Sequence, residues 1–272
     1  IGVVVQKIGD PFFAEMVEEI EEEANRRGIG VIVGSTHGEF ERENELVQGF
    51  KQRRVAGMLI TPQDVDYEFM ESSNIPVVFM DRVPKNCKGD VVRVDDKHGA
   101  KIATEHLIKH GHKNIAFFGD RMKIKTSKLR FDGYKAAMKE AGLQIRDEHI
   151  ITNLDGDDLA EAAFEGLLKI KNIPTAIFVS KAELSIGVVR AMHRLNRLDL
   201  ALFSFDDFTM AGSLEPGITI LNHSAREIGL AAVKRLLDRM DGIESKAREE
   251  MLPLKIIERG SGEIKAPKKV RA

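Results

Sequence analysis

The sequence contains no tryptophan, only two tyrosines and a single cysteine among its 272 residues. Without tryptophan, a carbohydrate site built on a broad aromatic platform is disfavoured. The lone Cys87 cannot form an intrachain disulfide, which suits a reducing compartment, so a cytoplasmic location is expected. No apolar run approaches the roughly twenty residues that span a bilayer. The chain opens inside its first strand with no export peptide, and an upstream portion is expected to be missing. A net charge of −2 gives no global attraction for nucleic acid or anionic membrane. Signatures of common enzymes are also missing: no Gly-x-Ser-x-Gly elbow, no phosphate-cradling Gly-x-x-x-x-Gly-Lys loop, no dinucleotide fingerprint after the first strand. Neither catalysis nor a cofactor is expected.

What is present is an alternation of strand-like and helical patterns. Val3 to Val5 read as a buried parallel strand, and Asp10, Pro11, Phe12 and Phe13 as the turn into an amphipathic helix. Glu15, Glu18 and Glu19 are expected to complement that helix's positive end. Further strands are predicted at 29–34, 56–60, 76–80, 91–94, 114–119, 175–179, 200–205, 218–221 and 253–258. Helical periodicity fits 12–27, 40–53, 99–110, 129–141, 159–171, 182–195 and 225–240. Gly28, Gly111 and Gly142 stand where helices end in a left-handed residue. Alternation of this kind means βαβ units with parallel sheets, and so many strands are better divided between two lobes than held in one sheet.

Several segments in order resemble one family: Asp10-Pro-Phe-Phe13, Val77 to Arg82, Val94-Asp95-Asp96, Ala103 to Gly119, Arg130-Phe-Asp-Gly-Tyr134, Pro174 to Phe178, Phe205-Asp206-Asp207, Pro216 to Ile220 and Pro253 to Ser261. The chain resembles the effector-binding core of the lac-repressor (LacI/GalR) transcription regulators. That resemblance implies a periplasmic-binding-protein-like α/β fold: two doubly wound parallel-sheet lobes joined by three crossovers, with a small effector in the cleft. The first lobe would be 1–94 plus 224–251 and the second 95–222 plus 252–264, with the basic tail 265–272 expected to be disordered. It also implies a homodimer that meets operator DNA only through an amino-terminal helix-turn-helix headpiece, expected to be absent from this chain.

The same resemblance carries over candidate ligand residues. Phe12 and Phe13 match pocket-lining positions, although either could instead be the first core residue of its helix. Asp81, at a strand end, suits a pair of sugar hydroxyls, with a salt bridge to Arg82 as the competing role. Arg130 offers a rigid donor fork for hydroxyls, carboxylate or phosphate, and Thr126 faces the same way one turn earlier. Asp206 matches an effector contact, while Asp207 is expected to cap the short helix after it. Two positions depart from the family pattern: Lys181-Ala182 where relatives carry Asn-Asp, and His223 where a glutamine is usual. Both add positive charge, so the effector is expected to be a sugar or an anionic sugar derivative, a sugar acid or sugar phosphate. The competing reading pairs Lys181 with Asp206 or Glu183, or sends it to solvent.

Other readings have less support. A solute-binding protein of a transporter shares the architecture but is exported. A pure dimerisation module with a vestigial pocket is kept open by the departures at Lys181 and His223. Asp155-Gly-Asp-Asp158 lacks the further ligands of a calcium loop, and Asp157 or Asp158 is expected to cap a helix. His106, His110 and His112 lack a visible fourth ligand, so no metal site is expected.

Overall fold

The computed structural model describes residues 1–63, 75–87, 89–243 and 246–267. It divides the chain into two compact units: residues 1–94 with 223–253, and 95–222 with the segment from Leu254 onward. Among the described residues, no helix is long and apolar enough to cross a membrane.

The first unit holds a sheet ordered β11-β5-β4-β3-β1-β2, built from β1 (Gly2–Val5), β2 (Ile32–Ser35), β3 (Met58–Ile60), β4 (Val77–Met80), β5 (Asp90–Arg93) and β11 (Glu249–Met251). Every pairing in it is parallel. Parallel strands need covering on both faces, and the apolar runs supply this. Helix α2 (Phe40–Gln52) sets Val47 and Phe50 against Val4, Met58, Ile60 and Phe79. Helices α1 (Pro11–Arg26) and α7 (Ala225–Met240) pack together, and a Cβ on Gly229 would stand 2.6 Å from the Met16 carbonyl oxygen. The strand order reverses between β1 and β3, the switch point at which open α/β sheets present their carboxyl ends to a ligand.

The second unit repeats the plan in the order β12-β10-β9-β8-β6-β7. Its strands are β6 (Ile115–Phe118), β7 (Ile150–Ile151), β8 (Ala176–Val179), β9 (Ala201–Phe205), β10 (Thr219–Asn222) and β12 (Lys255–Ile257). Only β12 runs antiparallel to its neighbour. One face is covered by α3 (Asp96–Lys109) and α4 (Lys125–Glu140), the other by α5 (Asp157–Leu167) and α6 (Ala182–Arg194). Two glycines let these pairs touch: a Cβ at Gly133 would meet the Lys97 carbonyl oxygen at 2.2 Å, and one at Gly187 the Asp157 carbonyl oxygen at 1.9 Å. Here the switch point lies between β6 and β8.

The alternation of elements and the left-handed ends at Gly28, Gly111 and Gly142 are as the sequence implies. Asp10 does cap α1, accepting the Phe12 amide at 3.1 Å. Several local expectations fail for identifiable reasons. Glu15, Glu18 and Glu19 lie beyond the first turn of α1, which holds no acid. The cap of α5 is Gly156, at φ 103°, so Asp157 and Asp158 are helical residues that bind Arg190. Asp207 caps no helix: it takes its own neighbour's amide from Phe208 and a bidentate ion pair from Arg259. Helix α4 starts at Lys125 instead of 129, because the polar stretch Lys125–Lys128 conceals its first turn. Strand β11, Glu-Glu-Met, has no β-branched residue and escapes pattern reading; charge there suits an edge strand. Residues 268–272 of the basic tail lie outside the described residues, while the Ala266 amide before them donates to the His110 carbonyl at 3.2 Å.

Candidate functional site

At the carboxyl edge of the first unit's sheet, polar side chains are buried without enough partners. Asp81 follows β4 directly and holds a left-handed backbone at φ 64°, unusual for any residue with a Cβ. Its amide is tied to the Val92 carbonyl at 2.9 Å, which fixes the corner. Arg82 lies 3.2 Å from Asp81 Oδ2 and donates to Gln6 Oε1 at 2.6 Å, so the salt bridge anticipated for this pair forms, but in the interior. Among the described residues, Asp81 Oδ1, Thr61 Oγ1 and Glu43 Oε1 are buried and have no hydrogen-bond partner. Buried polar atoms in that condition are rare and mark places where a ligand's hydrogen-bonding groups would be welcome.

The aromatic pair divides its roles. Phe13 is on the core face of α1, whereas Phe12 is half-buried, edge-on to Phe13 at 5.3 Å and tilted against the His223 ring at 4.7 Å. Phe12 and His223 thus present one composite aromatic surface beside the β1 turn, with Phe13 behind it.

Glu43, from α2, was not anticipated. It is fully buried, its Oε2 accepts the Gln63 amide at 3.1 Å, and burial pushes its carboxyl up to about 7 against the pull of that bond and of Arg82. The unfolded chain releases this proton near the ordinary value of 4.5, while the folded chain retains it until about 7. Ionisation therefore opposes folding: stability falls as pH rises from 4.5 to about 7, and the loss is complete above that. Glu43→Gln is expected to remove this penalty. Urea unfolding should find it more stable than the parent by about 3 kcal/mol at pH 8, with the difference vanishing near pH 4.

The second unit's carboxyl edge is organised around Arg130. Its Nε donates to Asp96 Oδ1 at 2.7 Å, its Nη1 donates to the Ser180 carbonyl at 2.7 Å and lies 3.6 Å from Asp206 Oδ2, and its guanidinium covers the Phe205 ring at 3.8 Å. The spacing Arg130-x-x-Gly133 has a physical reason. Gly133, a turn later on the same face of α4, permits contact with the start of α3, and that contact brings Asp96 within reach of the arginine. Thr126 is buried on the same helix. Asp206 occupies the corner after β9 with φ 80°, its amide bonded to the Leu221 carbonyl at 3.1 Å. Each sheet therefore turns through a left-handed aspartate at the matching strand end, Asp81 after β4 and Asp206 after β9. Ser204, itself bonded to Ser185 at 2.7 Å, donates to the Asp206 carbonyl at 3.0 Å and braces the corner.

Lys181 does not add free positive charge. Its ammonium is 2.9 Å from Glu183 Oε2 and 3.7 Å from Asp120 Oδ2, as the competing reading had it for Glu183. Four carboxylates (Asp96, Asp120, Glu183 and Asp206) thus stand with three cations at this edge: Arg130, Lys181 and Arg121, whose Nε is 3.7 Å from Asp120 Oδ1. Sequence reading had Glu183 as a partner of Lys181 but gave Asp96 no role at the site and did not find Asp120; the strand-end position of Asp120, two residues past β6, was the available signal for it.

The sequence profile of the family described as "periplasmic binding protein-like domain" matches residues 104–262. The ribose operon repressor of Escherichia coli is 28% identical over 271 residues, covering 96% of this chain and 81% of that protein. The HTH-type transcriptional repressor PurR of Photobacterium profundum is 28% identical over 250 residues, covering 88% and 74%. Among solved structures, that of a ribose operon repressor homologue from Burkholderia thailandensis is similar with a TM-score of 0.82 at 28% identity, covering 94% of this chain and 97% of that one. The transcription regulator GntR of Chromobacterium violaceum shares the fold with a TM-score of 0.88 at 24% identity, covering 96% and 98%. The chain belongs to the periplasmic binding protein-like family, and within it is the effector-binding core of a LacI-type transcriptional regulator.

Proposed function

We propose that this chain binds a neutral, polyhydroxylated effector of the sugar class, and that occupancy by it governs operator binding by a homodimer in the cytoplasm. Phe12 and His223, backed by Phe13, supply an apolar face for a sugar ring; Asp81, Asp206 and Arg130 supply acceptors and donors for hydroxyls, and Thr126 a hydroxyl of its own. Lys181 orients Asp120 and Glu183. The observation that carries this reading is the pair of buried aspartates, Asp81 and Asp206, set on left-handed corners at equivalent strand ends. Such conformations cost on the order of 1–3 kcal/mol and persist where the surrounding structure holds them for use.

A neutral ligand is favoured over a sugar acid or phosphate because carboxylates outnumber cations at the Arg130 edge, where an incoming anion would meet repulsion. Binding without turnover fits the hydroxyl-binding groups at the site, where no nucleophile is paired to a base among the described residues. The effector shifts DNA affinity only by as much as its own affinity differs between the two states of the protein.

A thermal-shift comparison of neutral sugars, sugar acids, sugar phosphates and nucleobases tests the proposal. A neutral sugar at about a hundredfold over its Kd stabilises by roughly 2.7 kcal/mol, which raises Tm by about 5–10 °C in a chain of this size. A shift produced solely by acids, phosphates or nucleobases would overturn it.

A further inference from the structure

We propose that His106, Glu258 and Glu263 form a binding site for a divalent transition-metal ion in the second unit, separate from the effector residues. The three come from different elements. His106 is in the last turn of α3, Glu258 follows β12, and Glu263 ends the short 3-10 turn Ser261–Glu263. Reading the helix alone suggested a histidine cluster short of ligands, and the fold resolves that cluster differently. His112 holds Thr175 and the Ile264 carbonyl with its two nitrogens and is not a ligand, while His110, which gives its Nδ1 to the His106 carbonyl, is outside the group whose ligand atoms converge. The missing donors arrive from the carboxyl-terminal segment. One ligand atom from each of His106, Glu258 and Glu263 lies within 4.8 Å of the others.

The geometry has the character of a site. His106 Nε2 is 2.6 Å from Glu263 Oε1, and its Nδ1 is 3.9 Å from Glu258 Oε1. The other oxygen of Glu263 accepts from Thr219 Oγ1 and the Gly260 amide, both at 2.7 Å, which aims Oε1 at the imidazole. Outer partners of this kind orient metal ligands. His106 is buried, while the Glu258 side chain is 65% exposed and can swing. An ion would therefore have a fixed inner pair, a mobile outer ligand and water in its remaining positions. On binding, the imidazole gives its Nε2 lone pair to the metal, any proton there passes to solvent, and Glu263 moves from the ring nitrogen to the ion. The two carboxylate charges match those of a divalent cation, and the carbonyl end of α3 favours positive charge. One imidazole with two carboxylates suits zinc, cobalt, nickel or manganese, whereas magnesium and calcium prefer all-oxygen sets.

Calorimetric titration of the chelator-treated chain with zinc chloride and with manganese chloride is the test. One ion per chain should bind saturably, and Glu258→Gln should weaken binding by at least about tenfold. Because Glu258 is exposed, that variant should keep the parent's metal-free Tm. His106→Gln should abolish uptake. Absence of saturable binding, or zinc affinity unchanged in Glu258→Gln, would overturn the site, as would magnesium chloride binding as tightly as zinc.

Discussion

Arg130→Ala should destabilise the folded chain by about 3–5 kcal/mol, the range found when one partner of a buried ion pair is removed. The arginine is buried with Asp96 and Asp206, and Asp96 is 1% exposed. Taking away the guanidinium leaves two acids in the interior with their principal cation gone, and strips the cover from Phe205. Urea unfolding would measure the loss. Arg130→Met combined with Asp96→Asn should recover a substantial part, because buried charge is removed together with its partner. Arg130→Lys separates folding from recognition: it keeps the charge but not the planar fork, so effector affinity should fall further than stability does. Should Arg130→Ala unfold at the parent's urea midpoint, the buried network would have no energetic weight.

The second large effect is expected at Asp90, at the start of β5, whereas the candidate Asp81 follows the end of β4. Its carboxylate receives Arg235 Nε and Arg239 Nε, both at 2.8 Å, and the Arg248 amide at 3.1 Å, tying α7 and the approach to β11 onto the sheet. Asp90→Ala leaves Arg235 buried and unpaired there, and about 3–5 kcal/mol of stability should be lost. The parent's pH dependence carries the same signature. Burial by itself would raise the Asp90 carboxyl, but donation from Arg239, Arg235 and Arg248 outweighs it and holds the group below the usual value of 3.8. A group depressed in this way stabilises fully above its unfolded value and loses that contribution as pH falls through the lower folded one. Asp90→Ala should therefore flatten acid unfolding below pH 3.8, measurable as a smaller difference from the parent at acid pH than at pH 7. Glu43 titrates with the opposite sign, so the two groups can be told apart in one set of unfolding curves.

Local chemistry made much of the fold legible. Apolar runs such as Val3–Val5, glycines after helical periods and the Asp10-Pro11 entry into α1 each report a short-range requirement, and short-range requirements survive in sequence. Elements whose stability comes from neighbours did not. Glu249–Met251 becomes a strand because β5 offers it an edge, and Lys125 begins a helix because Gly133 allows α4 to lie against α3. At the site, positions were readable and charge was not. Lys181 and His223 look like added positive charge in a linear reading, but Asp120, sixty-one residues before Lys181, and the adjacent Glu183 alter that sum in space. His106 likewise found its carboxylates more than a hundred and fifty residues downstream.

The two aspartate corners limit how this protein can acquire a new specificity. At φ 64° and 80° the backbone favours glycine, asparagine and aspartate, although His37, Arg54 and Met210 adopt the same region elsewhere in this chain. Substitution at these positions is thereby biased toward an acid, an amide or no side chain. Under the proposed function, diversification toward other effectors falls more readily on Phe12, Thr126, Lys181 and His223 than on the two corners. A directed-evolution library that spared the corners and varied those four would spend its diversity where the backbone leaves room.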